Sequence, residues 1–95
     1  MTCQLARFSD RPCDGRLVRA HLIPKRMLPE AERWAHGSYV MACGGPTGIG
    51  GHHGEFDFGG VRRLHVPRSA LPPATEALAS RLSMTWFLDR TYGER

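Results

Sequence analysis

The chain contains no apolar run approaching the roughly 18 residues that a helix needs to cross a bilayer, so no membrane partner is expected. Its first residues, Met1-Thr2-Cys3-Gln4-Leu5-Ala6-Arg7, lack the apolar core of a secretory signal, and the expected location is the cytoplasm. Aromatic residues make up only 8% and are dispersed, which gives no sequence-level sign of base stacking. There is no helix-turn-helix pattern, and sequence-specific DNA reading is not expected. The Gly44 to Gly51 stretch has neither Gly-x-Gly-x-x-Gly nor a Lys-Ser/Thr ending, which argues against a nucleotide-binding loop. No internal repeat and no low-complexity tail is present. Cysteine is scarce and odd in number: 3 residues cannot all pair with one another, and a reducing compartment disfavours disulfides, so metal ligation is the better reading.

What is present is a chain of 95 residues, read as a single domain over 1–95. A domain of this size buries a limited share of its surface on folding. Its apolar residues are diluted by 11 Gly and 7 Pro, mostly in the first three quarters, a composition of loops held by something other than a large core. The excess of 13 basic over 9 acidic residues gives a net charge of +4, which favours a polyanionic partner, nucleic acid being the commonest. All the basic residues but Lys25 are Arg, whose planar fork suits bidentate phosphate contacts.

Local signals divide the chain. Asp14-Gly15 marks a turn into a strand over Arg16 to Ile23, which Pro24 ends. Lys25 to Trp34 can make a helical turn or two, and Ser38 to Cys43 reads as a second strand able to pair with the first. The glycines from Gly44 to Gly51 form a loop, and His52 to Phe58 a short helix closed by Gly59-Gly60. The clearest helix covers about 73–89, with Pro72 and Pro73 at or before its first turn and apolar residues at near-helical spacing; its expected role is to cover the small core.

Two sets of residues carry chemistry. Cys3, Cys13, Cys43 and His52 are soft ligands in two pairs, sufficient for a tetrahedral structural zinc, with His36 or His65 as alternatives to His52. His53 and Asp57 lie one turn apart if their segment is helical, so both can bind one catalytic divalent cation, Mg²⁺ or another, while His21 at the end of the first strand serves as a base.

Arg19-Ala20-His21-Leu22-Ile23-Pro24, then a strand ending at Cys43, then His52-His53-Gly54-Glu55-Phe56-Asp57, resembles the HNH (ββα-metal) endonucleases, especially small phage-encoded members with a zinc staple. The resemblance spans about residues 3–60. It implies an α+β fold: a small ββα-metal, treble-clef-like domain with an added C-terminal helix. It implies a metal-dependent endonuclease or nickase acting on DNA phosphodiester bonds. In that family a strand delivers the general-base histidine, here His21, and a helix supplies the metal ligands, here His53 with Asp57. A cysteine often precedes the last histidine in zinc-stapled members, and His52 takes its place. Arg16, Arg19, Lys25 and Arg26 flank His21, and Arg62, Arg63 and Arg68 follow the helix, where both sets would hold DNA phosphates. Many nucleases of this type cut both strands as a homodimer or larger assembly. The alternative is a non-catalytic zinc module that binds nucleic acid or a partner protein.

Overall fold

The computed structural model describes residues 2–57 and 64–93 and shows an α+β chain. Strand β1 (Leu17–His21) pairs with β2 (Tyr39–Cys43) in a two-stranded sheet. Leu22 N donates to Ser38 O at 2.9 Å and Gly44 N to Arg16 O at 2.8 Å, which fixes an antiparallel register with His21 opposite Tyr39. The turn signal at Asp14-Gly15 is real: Gly15 has φ +78° and bridges to Gly45, and a Cβ on it would lie 2.3 Å from the Gly45 carbonyl oxygen. Between the strands the Lys25 to Trp34 segment makes two 3₁₀ turns, Lys25–Met27 and Glu30–Glu32, the first opened by Pro24 and the second by Pro29. Helix α1 (Gly51–Asp57) follows the glycine loop. Among the described residues no helix is long and apolar enough to cross a membrane.

The chain divides into two compact units, Met1–Ala20 with Val40–His65, and His21–Tyr39 with Val66–Arg95. In the first, Leu5, Val40, Phe56 and Leu64 are the large apolar side chains buried among the described residues, with Ala20, Ala42 and Cys43 buried beside them. In the second, Leu22, Ile23 and Leu28 share a core with Leu71, Leu78, Met84, Phe87, Leu88 and Tyr92. The Tyr92 hydroxyl donates to Leu22 O, and Thr75 Oγ1 donates to Gly37 O at 2.7 Å. Arg81 makes a two-pronged contact with Glu32, at 2.6 and 3.0 Å, and holds that carboxyl below its usual range by direct hydrogen bonding. Residues 21–39, which fall inside the 3–60 span of the HNH resemblance, thus share their unit with the C-terminal helices.

The single helix expected over about 73–89 is corrected to two, α2 (Pro73–Arg81) and α3 (Thr85–Tyr92). The break is a Schellman turn: Ser83 N donates to Ser80 O at 3.2 Å and Met84 N reaches back to Ala79 O at 2.7 Å. Ser83 occupies the left-handed position with φ +57°, where glycine is the usual residue, so the apolar spacing on either side disguises the stop. Replacing Ser83 by Gly removes the Cβ conflict of that conformation, and Ser83→Gly is expected to raise stability by about 1 kcal/mol, readable as a higher urea midpoint.

Candidate metal centre

Four segments of the first unit bring Cys3, Cys13, Cys43 and His52 together. Gln4 N donates to Met41 O at 2.7 Å and Gln4 Oε1 accepts from Met41 N at 2.9 Å, which lays the N-terminal segment along β2 and sets Cys3 beside Cys43. Gly45 N donates to Asp14 O at 2.7 Å and secures the chain next to Cys13. His52 enters from the start of α1, where Gly51 takes φ +57° and a Cβ would meet the Cys43 carbonyl oxygen at 2.6 Å. Only glycine lets the helix begin that close to the end of β2.

The ligand atoms lie within 4.8 Å of one another. His52 Nδ1 is 3.3 Å from Cys3 Sγ, 3.7 Å from Cys13 Sγ and 3.2 Å from Cys43 Sγ. A tetrahedral zinc with the usual bond lengths places sulfur and nitrogen about 3.6 Å apart, so the donor set and its spacing fit. The other imidazole nitrogen gives independent support. His52 Nε2 is 2.8 Å from Arg11 O, and because a carbonyl only accepts, that nitrogen carries the proton and Nδ1 turns its lone pair on the sulfurs. Backbone N–H groups of His52 and Cys43 donate to Cys43 Sγ at 3.2 Å and Cys3 Sγ at 3.3 Å, bonds that favour thiolates.

The sulfurs differ in their electrostatics. Burial raises the Cys43 thiol pKa, but backbone hydrogen bonds from His52 and Asp14 outweigh it and bring the net value below the ordinary one. Cys13, though exposed, is pushed up to about 11, first by partial desolvation of its sulfur and then by hydrogen bonding to Cys43 and Cys3. Three thiols this close resist common ionisation until a dication compensates their charge, which zinc does. Cys13 also borders an open cleft of about 420 Å³ lined by Arg11, Pro12, Asp14, Gly51 and Glu55. The site can therefore hold one structural zinc, with His52 as fourth ligand; His36 and His65 are exposed and outside the cluster.

The residues assigned to catalysis are placed as follows. His53, half-buried, turns to a different partner from its neighbour: its Nδ1 donates to Gly48 O at 2.9 Å, which leaves the lone pair on Nε2. Asp57 is the last residue of α1, four residues beyond His53, and its side chain lies outside the described residues. His21 ends β1; its Nε2 donates to Arg33 O at 2.7 Å, so the neutral ring carries its basic lone pair on Nδ1. Arg16, Arg19, Lys25 and Arg26 are exposed, whereas Arg62 and Arg63 lie outside the described residues. Arg68 is engaged by carboxylates, Glu76 at 3.0 Å and Asp89.

Trp34 and Tyr39 were not legible as site residues. The expectation that the aromatics are scattered is corrected at His21, whose ring centroid is 5.0 Å from that of Trp34 and 5.8 Å from that of Tyr39. Tyr39 had a findable signal, since the strand register sets it opposite His21. The Arg33, Gly48 and Arg11 carbonyls had none, because any residue supplies one. No family model, curated protein or solved structure matches the chain.

Proposed function

We propose that this chain is a metal-dependent endonuclease or nickase of the ββα-metal kind, hydrolysing DNA phosphodiester bonds on a zinc-stapled scaffold. The observation that supports it is the complementary pinning of two histidines to backbone carbonyls, His21 through Nε2 and His53 through Nδ1. Each ring is thereby oriented and held in one tautomer, with Nδ1 the basic nitrogen of neutral His21 and Nε2 that of neutral His53. In this reading His21 Nδ1 takes the proton of the attacking water, and His53 Nε2 with Asp57 holds the cation. A divalent cation, when bound there, stabilises the charge that develops on the phosphate. Arg16, Arg19, Lys25 and Arg26 supply phosphate contacts, and the salt dependence of binding reports them. The order β1, β2, α1 and the zinc-competent cluster agree with the fold this reading calls for.

The test is cutting of supercoiled plasmid by the zinc-loaded protein with Mg²⁺ or Mn²⁺ added. Nicked circles are expected to appear only with the added cation. Loss of even an outer-shell partner typically costs about 10–100-fold in metal affinity or activity, so His53→Ala is expected to raise the required cation concentration at least that much. Intact plasmid under every divalent cation sinks the proposal.

A second reading, a non-catalytic zinc module that binds nucleic acid or a partner protein, is favoured by Ala20. This methyl, fully buried, stands where the family often carries a metal ligand immediately before the base, and the chain contains no Asn. One tightly held zinc, with no second divalent cation bound by His53, would decide for it.

A further inference from the structure

We propose that Trp34 is a nucleobase platform, on which one unpaired base of single-stranded or locally opened DNA stacks beside His21. The inference rests on the reading of DNA as substrate and adds which kind of DNA. Three rings from the second unit meet here. Trp34 and His21 are T-shaped at 5.0 Å and 68°, and Tyr39 closes the group at 6.3 Å from Trp34. His21 and Tyr39 are half-buried, while Trp34 stays 53% exposed. The indole is thus held along part of its surface by fixed neighbours and still presents much of its area to solvent.

Charge chooses the occupant. Lys25 Nζ lies over the Trp34 ring, 5.1 Å from its centre, and Arg26 and Arg33 are exposed on the same segment. Of the two acids on the segment, Glu32 is paired with Arg81, so the exposed Glu30 is outnumbered by Lys25, Arg26 and Arg33. An exposed indole with one cation over its ring and two further basic residues on its segment matches a nucleotide, whose base stacks and whose phosphate meets the basic side chains; an apolar peptide would leave those cations without counter-charge. Stacking on an indole needs an exposed base face, which a continuous duplex does not offer. Arg33 also ties platform to base, since its carbonyl orients His21 and the next residue is Trp34.

The test uses the full zinc-loaded chain carrying Trp86→Phe, which leaves Trp34 as the sole indole, without added Mg²⁺. Titration with a short oligothymidylate is expected to quench Trp34 emission saturably, and a blunt duplex of equal length to quench it little. By polarisation of labelled DNA, Trp34→Ala is expected to weaken single-strand binding about tenfold and duplex binding hardly at all, with Trp34→Phe recovering most of the loss. Absence of quenching, or equal loss on both DNA forms, overturns the proposal; quenching by an apolar acidic peptide but not by DNA assigns the surface to a protein partner and overturns it too. The quenching is read on an intact indole, so it stands even if Trp34→Ala fails to fold. Single-strand quenching with no cutting of any DNA refutes the nuclease reading alone, whereas metal-dependent cutting with no Trp34 response refutes the platform alone.

Discussion

Removal of zinc by a strong chelator is expected to unfold the unit that carries Cys3, Cys13, Cys43 and His52. Structural zinc binds zinc-finger peptides with roughly 10–16 kcal/mol at neutral pH, comparable to or larger than the whole stability of a small domain, about 5–15 kcal/mol. Among the described residues little else is placed to compensate: the buried large apolar side chains Leu5, Val40, Phe56 and Leu64 are few, and besides the ligands the Cys3 to Asp14 segment is tied to the rest by the Gln4–Met41, Gly45–Asp14 and His52–Arg11 contacts and by the Ser9 hydroxyl, which donates to Glu55 at 2.9 Å. Protons and zinc compete for the same sulfurs, so acidification is expected to release the metal and lower the melting temperature. Among single variants, Cys43→Ser should be more damaging than Cys13→Ser, because Cys43 is buried and accepts the His52 N–H that starts α1, whereas Cys13 is exposed beside a cleft. The measurements are zinc content per chain and thermal unfolding by circular dichroism with and without chelator. A chain that holds no zinc, and melts unchanged when chelator is added, would exclude a structural role for the cluster.

The same few residues explain what could be read in advance. Asp14-Gly15 and Pro24 bracket β1, and Gly51 opens α1, because these residue types act through local backbone geometry that sequence carries directly; the closure expected at Gly59-Gly60 lies outside the described residues. The Cys3, Cys13, Cys43 and His52 set was legible as chemistry although its spacing is loose, since soft ligands in a cysteine-poor chain have few other uses. Soft-ligand character groups His52 with the cysteines and one-turn spacing groups His53 with Asp57, and the structure sets His52 against the sulfurs and His53 against Gly48 O. What stayed illegible depends on contacts that residue type does not encode. Ser83 in a left-handed conformation stops α2 without the glycine that normally announces it, and the carbonyls that orient three histidines belong to Arg11, Arg33 and Gly48 for reasons of position alone. Trp34 reaches His21 across the 3₁₀ turns of the intervening segment, a path that no periodicity describes.

Those carbonyl contacts lead to a sharper expectation for His21. On the proposed nuclease reading, with His21 as general base, His21→Ala should lower the DNA cleavage rate by about 10²–10⁴-fold, the range a positioned general base contributes, with DNA affinity little changed. The side chain touches Trp34, Tyr39 and Arg33 O, so truncation also loosens local packing, and a fall in rate alone would not separate the two effects. His21→Gln separates them: its amide can still donate to Arg33 O but has no basic nitrogen, so it should keep the melting temperature near that of the parent while remaining as inactive as His21→Ala. The cation response then distinguishes base from ligand. Raising the divalent cation concentration should recover activity in His53→Ala, where the loss is in metal occupancy, and should recover none in His21→Gln, where the missing step is proton removal from water. Single-turnover cleavage at saturating protein reads the chemical step directly. A His21→Gln protein that cuts within tenfold of the parent would take the base role away from His21, and metal rescue of that variant would move His21 to the cation's ligand set.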